Sequence, residues 1–128
     1  MAAHNELGKC GEEFAKQYLL GKGYRIIETN WRCEHLEIDI IAQKFDFLSI
    51  IEVKTRSNNN SGYPEEAVTV PKMRKLLKAA EKYMQLNNFT DGVRFEVLAL
   101  TKSGESFDVE HFEEAFTSVT AYSHSTRW

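Results

Sequence analysis

Apolar residues recur along this chain with two different spacings, and the spacing divides it into predicted helices and strands. Residues 6–20 place apolar side chains at steps of three and four, which is typical of an amphipathic helix, and Gly21 and Gly23 are expected to end it. A second helix is predicted to begin at Pro71, because proline is favoured in the first turn of a helix. The apolar stripe of that helix consists of Met73, Leu76, Leu77, Ala80, Tyr83 and Met84.

Several further segments have the composition or the alternation of β-strands. They are residues 24–31, 36–42, 47–54, 93–100 and 106–109. A turn around residues 43–46 joins the second and third segments into a hairpin, residues 110–117 are predicted to form a brief helix or turn, and residues 122–128 a frayed tail. This order predicts a single α/β domain over residues 1–128, with a central mixed β-sheet of about five strands flanked by α-helices.

The strands also predict a core. A mixed sheet covered by helices on both faces buries the apolar side chains of its strands. The residues expected to be buried are Ile38, Ile40, Leu48, Ile50, Phe95 and Val97. On the fourth strand, Arg94 and Glu96 are expected on the face opposite Phe95, where a cross-strand pair between them is one option.

Composition narrows the class of protein. The chain has 128 residues, of which 42% are hydrophobic and 27% charged, as is ordinary for a soluble globular domain. No apolar run approaches the roughly 20 residues that a membrane span needs, and the first residues do not resemble a signal peptide. Cys10 and Cys33 are isolated and lack metal-site spacing, which favours a reducing compartment. These features predict a cytoplasmic protein without a membrane partner.

Charge is distributed unevenly along the chain. The net charge of −3 argues against a surface that is basic throughout, but residues 71–83 contain five basic residues and one acid. This basic arc of the second helix can be a solvated helix face or a surface that binds phosphates, and the sequence leaves both interpretations open.

The candidate chemistry lies in the predicted hairpin. Asp39 on one strand and the Glu52-Val53-Lys54 segment on the next can converge if the hairpin pairs in its simplest register. One interpretation is a structural ion pair, in which Lys54 neutralises Glu52 or Asp39. The other is a site for a divalent metal that hydrolyses phosphodiester bonds, because Mg²⁺ prefers carboxylate oxygens and an ammonium can stabilise the transition state.

One further acid belongs to this question. Glu12 falls at the edge of the apolar stripe of the first helix, whereas Glu13 faces away from it. An acid at that border is either a solvated flank or a residue that reaches a site at the edge of the sheet.

Several short motifs in register resemble one known family. They are Gly11-Glu12-x-x-Ala15, Asn30-x-Arg32, Glu37-Ile38-Asp39-x-Ile41-Ala42, Glu52-Val53-Lys54-x-Arg56, Gly62-x-Pro64-x-x-Ala67-Val68, Lys72 and Arg94-Phe95. Together they resemble the YraN-like family of predicted endonucleases, which is similar to archaeal Holliday junction resolvases, and the resemblance runs from about residue 8 to residue 116. The chain departs from the family's usual pattern at Leu36, where glycine is common, and at Glu96, where aspartate is common.

The resemblance implies a restriction-endonuclease-like fold and a metal-dependent nuclease that acts on DNA, with branched or damaged structures as candidate substrates. It implies that Asp39, Glu52 and the Val53 carbonyl bind Mg²⁺ or Mn²⁺. Lys54 would position the attacking water and stabilise developing charge, and Glu12 would be an accessory ligand or would orient water.

The remaining expectations concern binding. Arg56, Lys72, Lys75 and Lys78 are expected to hold backbone phosphates of DNA or another nucleic acid. A homodimer is implied by analogy alone. The alternative functions are a nucleic-acid-binding module of the same fold that does not cut, and a protein–protein adapter.

Overall fold

The computed structural model describes residues 2–57 and 68–117, with the side chains of α1 described from residue 6 onward. The elements are α1 (Ala2–Gly21), β1 (Arg25–Cys33), β2 (Leu36–Lys44), β3 (Phe47–Arg56), α2 (Val70–Leu86), β4 (Val93–Ser103) and β5 (Ser106–Phe116). The strands form one sheet in the order β1-β2-β3-β4-β5. The predicted α/β architecture, a five-stranded mixed sheet flanked by helices, is therefore confirmed. The tail over residues 122–128 lies outside the described residues.

One strand pair makes the sheet mixed. β3 and β4 are parallel, whereas the other neighbouring strands are antiparallel. Parallel strands need a long crossover connection, and α2 lies within the connection between β3 and β4. Neither helix in the described ranges has the length and hydropathy of a membrane-spanning segment.

The sheet separates two cores. The α2-side core includes Ile38, Ile41, Leu48, Ile50, Met73, Leu76, Phe95 and Val97. The α1-side core includes Ala15, Leu19, Tyr24, Ile40, Ala42, Ile51, Leu98 and Leu100. All six residues predicted to be buried are buried, and Leu36 also packs into the α2-side core.

The prediction for residues 110–117 is wrong, because β5 is one continuous strand from Ser106 to Phe116. The ladder explains why the sequence resembles a helix. Phe112 pairs with Val97 and Phe116 pairs with Phe95, so four residues of β5 pass two residues of β4 at an irregularity. The resulting four-residue spacing of apolar side chains imitates a helical period.

The predicted pair between Arg94 and Glu96 is also absent from the described ion pairs. Arg94 instead lies 3.9 Å from Glu113 on β5. Glu96 is buried on the α1 side, where its Oε1 accepts a hydrogen bond of 2.8 Å from the Tyr24 hydroxyl and lies 2.6 Å from His111 Nε2. Tyr18 on α1 extends this network, with its hydroxyl 3.2 Å from His111 Nδ1. Short-range alternation identified the face of Glu96 but not its partners.

Candidate active site

The site forms where β2 and β3 separate. Their ladder runs from Lys44 and Phe47 to Ile40 and Ile51. Beyond that point, β2 remains paired with β1, and β3 remains paired with β4. The two strands therefore form a fork that opens after Ile40 and Ile51, and the next residues along the strands are the predicted metal ligands Asp39 and Glu52.

Asp39 uses its side chain to compensate for the lost ladder. Its Oδ2 accepts a hydrogen bond of 2.9 Å from the backbone N–H of Val53. A backbone donor near the interior of a sheet needs a partner, and at the fork the opposite strand no longer supplies one. The carboxylate is consequently fixed across the opening between the two strands.

The alternation of β2 changes phase at this position. Ile38 packs into the α2-side core and Ile40 into the α1-side core, although residues two apart in a regular strand share a face. Asn30, which falls opposite Asp39 in the β1–β2 register, has a left-handed backbone with φ +53°. Glu37, two residues before Asp39 on β2, is exposed and pairs with Arg32 at 3.4 Å.

Glu52 is neutralised from α2. Only 6% of this residue is exposed, and its Oε2 lies 2.7 Å from the Lys72 ammonium nitrogen. Lys72 lies in the first turn of α2, where its backbone N–H donates to the Thr69 side chain that caps the helix. Lys54 is exposed, and no ion pair of Lys54 is found in the part of the chain that the structure describes. The predicted structural pair therefore exists with a different lysine.

Close packing of α1 on β3 brings Glu12 to the fork. Gly11 is buried, and a Cβ atom placed there would lie only 2.2 Å from Thr55 Oγ1. Any larger residue would push the helix away from the strand. The neighbouring Glu12 uses Oε1 to accept a hydrogen bond of 3.5 Å from Asn30 Nδ2.

These elements enclose a cavity of about 330 Å³. Its lining residues are Gly8, Glu12, Asp39, Glu52, Val53, Lys54, Thr55 and Lys72. The cavity thus brings together all four predicted catalytic residues, the predicted ligand Val53, and one lysine that was expected to bind phosphate. α1 contributes from one face of the sheet and α2 from the other, so the fork itself provides the opening.

The other predicted phosphate-binding residues lie elsewhere. Arg56 is half-buried at the end of β3, and Lys75 is exposed on α2. Lys78 lines a larger groove of about 1110 Å³ at the opposite end of α2, which contains none of the predicted catalytic residues. Size alone therefore does not identify the site.

Burial and like charge perturb the acids of the fork. Burial raises the pKa of Asp39 to about 7, and the negative charge of Glu52 adds to the effect. The Val53 N–H and the Lys72 ammonium act in the opposite direction on that pKa. Burial disfavours the charged form of Lys72, but its hydrogen bond and charge interaction with Glu52 outweigh this and raise its pKa. The carboxylate pair is therefore only partly compensated by the protein's own cation.

This donor set suits a hard divalent cation. Within residues 2–57 and 68–117, no group of three His, Cys, Asp or Glu side chains is close enough to hold a metal. Among the described residues, Asp39 and Glu52 would be the side-chain ligands of such an ion, and backbone oxygen and water would complete the shell. That composition fits Mg²⁺ or Mn²⁺, which commonly use one or two carboxylates and retain waters. Glu12 lines the same cavity and does not complete a three-acid cluster.

Sequence comparison assigns this α/β domain to a family whose activity is uncharacterised. Residues 11–100 match the model of the uncharacterised protein family UPF0102. The chain belongs to this family, which confirms the YraN-like resemblance. The matched range contains Glu12, Asp39, Glu52, Lys54 and Lys72.

Individual relatives align with this chain over nearly their whole lengths. A UPF0102 protein of Flavobacterium psychrophilum is 47% identical over 116 residues, covering 91% of this chain and 98% of the relative. A UPF0102 protein of Bacteroides thetaiotaomicron is also 47% identical, covering 91% and 96%. Among solved structures, SfsA of Pyrococcus furiosus in complex with Ca²⁺ is similar at 16% identity with a TM-score of 0.37. That similarity covers 87% of this chain and 63% of SfsA.

The sequence did not reveal two features of the site. The contact between Lys72 and Glu52 joins residues 20 positions apart on different elements. The left-handed backbone of Asn30 had a weak signal, since asparagine tolerates that conformation better than most residues.

Proposed function

We propose that this protein is a metal-dependent nuclease with a restriction-endonuclease-like fold that hydrolyses phosphodiester bonds in DNA. The observation that carries the proposal is the fork cavity, in which Asp39, Glu52, Lys54 and Glu12 line one opening of the sheet. The match to the uncharacterised family adds that the matched range, residues 11–100, contains all four of these residues.

Each residue of the cavity has a role in this proposal. Asp39 and Glu52 bind the cation, and the Val53 N–H keeps the Asp39 carboxylate oriented across the fork. Lys54, exposed at the cavity, positions the attacking water and stabilises the charge that develops on the phosphate. Glu12, held by Asn30, orients the same water. Bound at this position, Mg²⁺ or Mn²⁺ would supply Lewis acidity and neutralise negative charge on the scissile group.

The protein recognises the phosphate backbone of its substrate and not a particular base sequence. Arg56 and Lys75 lie outside the cavity and suit phosphate contacts, which position a nucleic acid without reading its sequence. Branched or damaged DNA in the cytoplasm is the proposed substrate class. A homodimer would present two cavities to such a substrate, and size-exclusion chromatography with light scattering measures that state directly.

The first test is calorimetric titration with Mn²⁺ beside a cleavage assay on a four-way DNA junction. Wild type is expected to bind the metal and cut the junction, and Asp39→Asn to do neither. Asp46→Asn makes the same change of charge in the exposed β2–β3 turn and should behave as wild type. Circular dichroism confirms that each variant is folded.

The opposite results are informative. Wild type that binds no Mn²⁺, with or without DNA, contradicts the nuclease proposal. If that protein still binds DNA with an affinity that falls steeply with salt, the nucleic-acid-binding module is the better description.

A further inference from the structure

We infer that the Lys72 ammonium competes with the metal for the Glu52 carboxylate. It pairs with Glu52 when no divalent cation is bound, and it moves to a substrate phosphate when a divalent cation binds that carboxylate. This inference rests on the proposed function and concerns a residue that the Asp…Glu-x-Lys motif does not include. It makes Lys72 a positioning residue that links metal binding to substrate binding.

The contact itself is the first argument. Glu52 is buried at the fork, and its Oε2 lies 2.7 Å from Lys72 Nζ. A buried carboxylate requires compensation, and in the described part of the chain the ion pair with Lys72 supplies it. The Lys72 ammonium therefore already neutralises the carboxylate that a metal cation would bind.

The two cations exclude each other on electrostatic grounds. A divalent ion held by Glu52 would share this carboxylate with the Lys72 ammonium, and charges of like sign repel strongly in a partly desolvated site. Binding of the ion therefore requires Lys72 to withdraw. Its side chain is able to do so, since 50% of it is exposed and lysine has a flexible four-carbon stem.

The backbone limits where the released ammonium can go. Thr69 caps α2, and Lys72 lies in the first turn of the helix with its Cα fixed by the helical backbone. The side chain remains beside the cavity that it now lines together with Lys54 and Glu12. A phosphate entering the fork is the natural new partner, because an ammonium is a strong point-charge ligand for phosphate.

The two lysines of the site thus differ in their task. Lys54 is exposed and has no ion pair among the described residues, so its ammonium is available to water and phosphate at once. The Lys72 ammonium stays paired with Glu52 until a metal ion binds. The prediction is that substrate tightens metal binding in wild type by giving Lys72 a new partner.

Calorimetric titration with Mn²⁺ at constant pH and ionic strength tests this inference on wild type, Lys72→Met, Lys72→Arg and Lys75→Met. Lys72→Met should bind Mn²⁺ at least about fivefold more tightly than wild type, because it removes a unit charge that competes for Glu52. Lys72→Arg keeps the charge and should retain the weaker affinity. Lys75→Met removes the same charge from an exposed position of α2 outside the cavity and should match wild type.

A second titration measures the link to substrate. A short duplex with phosphorothioate linkages keeps its charge and resists cleavage. It should increase the Mn²⁺ affinity of wild type several-fold more than that of Lys72→Met. Thermal unfolding of each variant confirms that the comparison is made on folded protein.

The outcomes separate the inference from the proposed function. If wild type binds Mn²⁺ and cuts DNA but Lys72→Met binds Mn²⁺ no more tightly than wild type, the inference is wrong and the nuclease stands. If none of the four proteins binds Mn²⁺, both are wrong. If Lys72→Met binds Mn²⁺ without DNA and wild type binds it only when the duplex is present, the competition is stronger than proposed and the inference is supported.

Discussion

Two glutamates of the same sheet are almost completely buried, but their hydrogen-bonding and ion-pair partners differ, and so does the space beside them. Glu52 is 6% exposed at the fork between β2 and β3, beside an open cavity, and its counter-charge comes from the half-exposed side chain of Lys72. Glu96 is 1% exposed on the α1 side, where it pairs with Ile51 in the parallel ladder of β3 and β4. Its partners Tyr24 and His111 lie on well-packed segments and form short contacts with a single oxygen.

Under the proposed function, this difference separates an acid that can bind a metal from an acid that only holds the fold together. Burial alone does not, since Glu96 is the more buried of the two. At the fork, the missing ladder leaves room for a ligand, and the counter-charge of Glu52 is a half-exposed lysine. In the Glu96 network, the aromatic partners are fixed, and the Oε2 of Glu96 has no partner among the described residues. Polar networks of this kind specify packing and leave no room for substrate.

The largest expected effect concerns catalysis. Glu52→Gln should lower the rate of junction cleavage by at least about 100-fold, in the range observed when one charge-stabilising group is removed from an active site. Glu96→Gln should leave the rate within a few-fold of wild type at a temperature where both are folded. Single-turnover cleavage in Mg²⁺ measures both, and equal losses would remove the distinction between the two acids.

Stability should show the reverse order. Glu96→Ala should lower the free energy of unfolding by about 3–5 kcal/mol, because it removes one partner from a buried polar network and leaves a cavity. Glu52→Ala should cost less than about 1 kcal/mol, since Lys72 can hydrate and the repulsion with Asp39 disappears. Phe95→Ala, at about 2–5 kcal/mol, is a reference for the loss of core packing. Urea unfolding at pH 7 measures all three, and a Glu52→Ala loss equal to that of Glu96→Ala would contradict the comparison.

The third effect depends on pH and arises only at the fork. Because the pKa of Asp39 is raised to about 7 in the folded protein from its ordinary value of 3.8, the folded state holds this proton more tightly than the unfolded state. Its contribution to stability is therefore greatest below the unfolded pKa and is lost as pH rises through the folded pKa. Asp39→Asn should remove this loss and stabilise the protein at pH 8 by on the order of 1–3 kcal/mol.

The measurement is urea unfolding of wild type and Asp39→Asn at several pH values from 4 to 8. The two curves should approach each other at low pH and diverge between pH 4 and pH 8. Asp46→Asn, in the exposed turn, is the matched control and should follow wild type. A constant difference between wild type and Asp39→Asn across this range would show that Asp39 does not titrate as proposed.

The smallest effect concerns how the fork is held. Gly11→Ala should destabilise the protein by about 1–3 kcal/mol, because the added Cβ would meet Thr55 Oγ1 at 2.2 Å and push α1 away from β3. Gly8→Ala meets nothing within 4 Å and should be neutral or stabilise α1 by about 0.5–1 kcal/mol through helix propensity. Thermal unfolding of the two variants tests this pair, and equal melting temperatures would refute the close approach.

The sequence by itself determined the scaffold of this protein. Helical and strand periods predicted α1, α2, all of the strands and the buried residues from Ile38 to Val97, because apolar spacing records which side of each element faces the core. The same spacing placed Asp39 and Glu52 beside each other across the hairpin. It misassigned the end of β5, because an irregular ladder gives four-residue spacing to a strand.

Only the tertiary structure decided how the charged groups pair. Tyr24 and Glu96 are 72 residues apart, and the lysine that holds Glu52 comes from the following helix instead of from the adjacent Lys54. The phase change at Asp39 likewise depends on Asn30 in the neighbouring strand. Local patterns report the direction of a side chain from its own backbone, whereas the partner of a buried charge is whichever group the packing of other elements brings within reach. That choice is made by register and helix placement, which a single sequence does not encode locally.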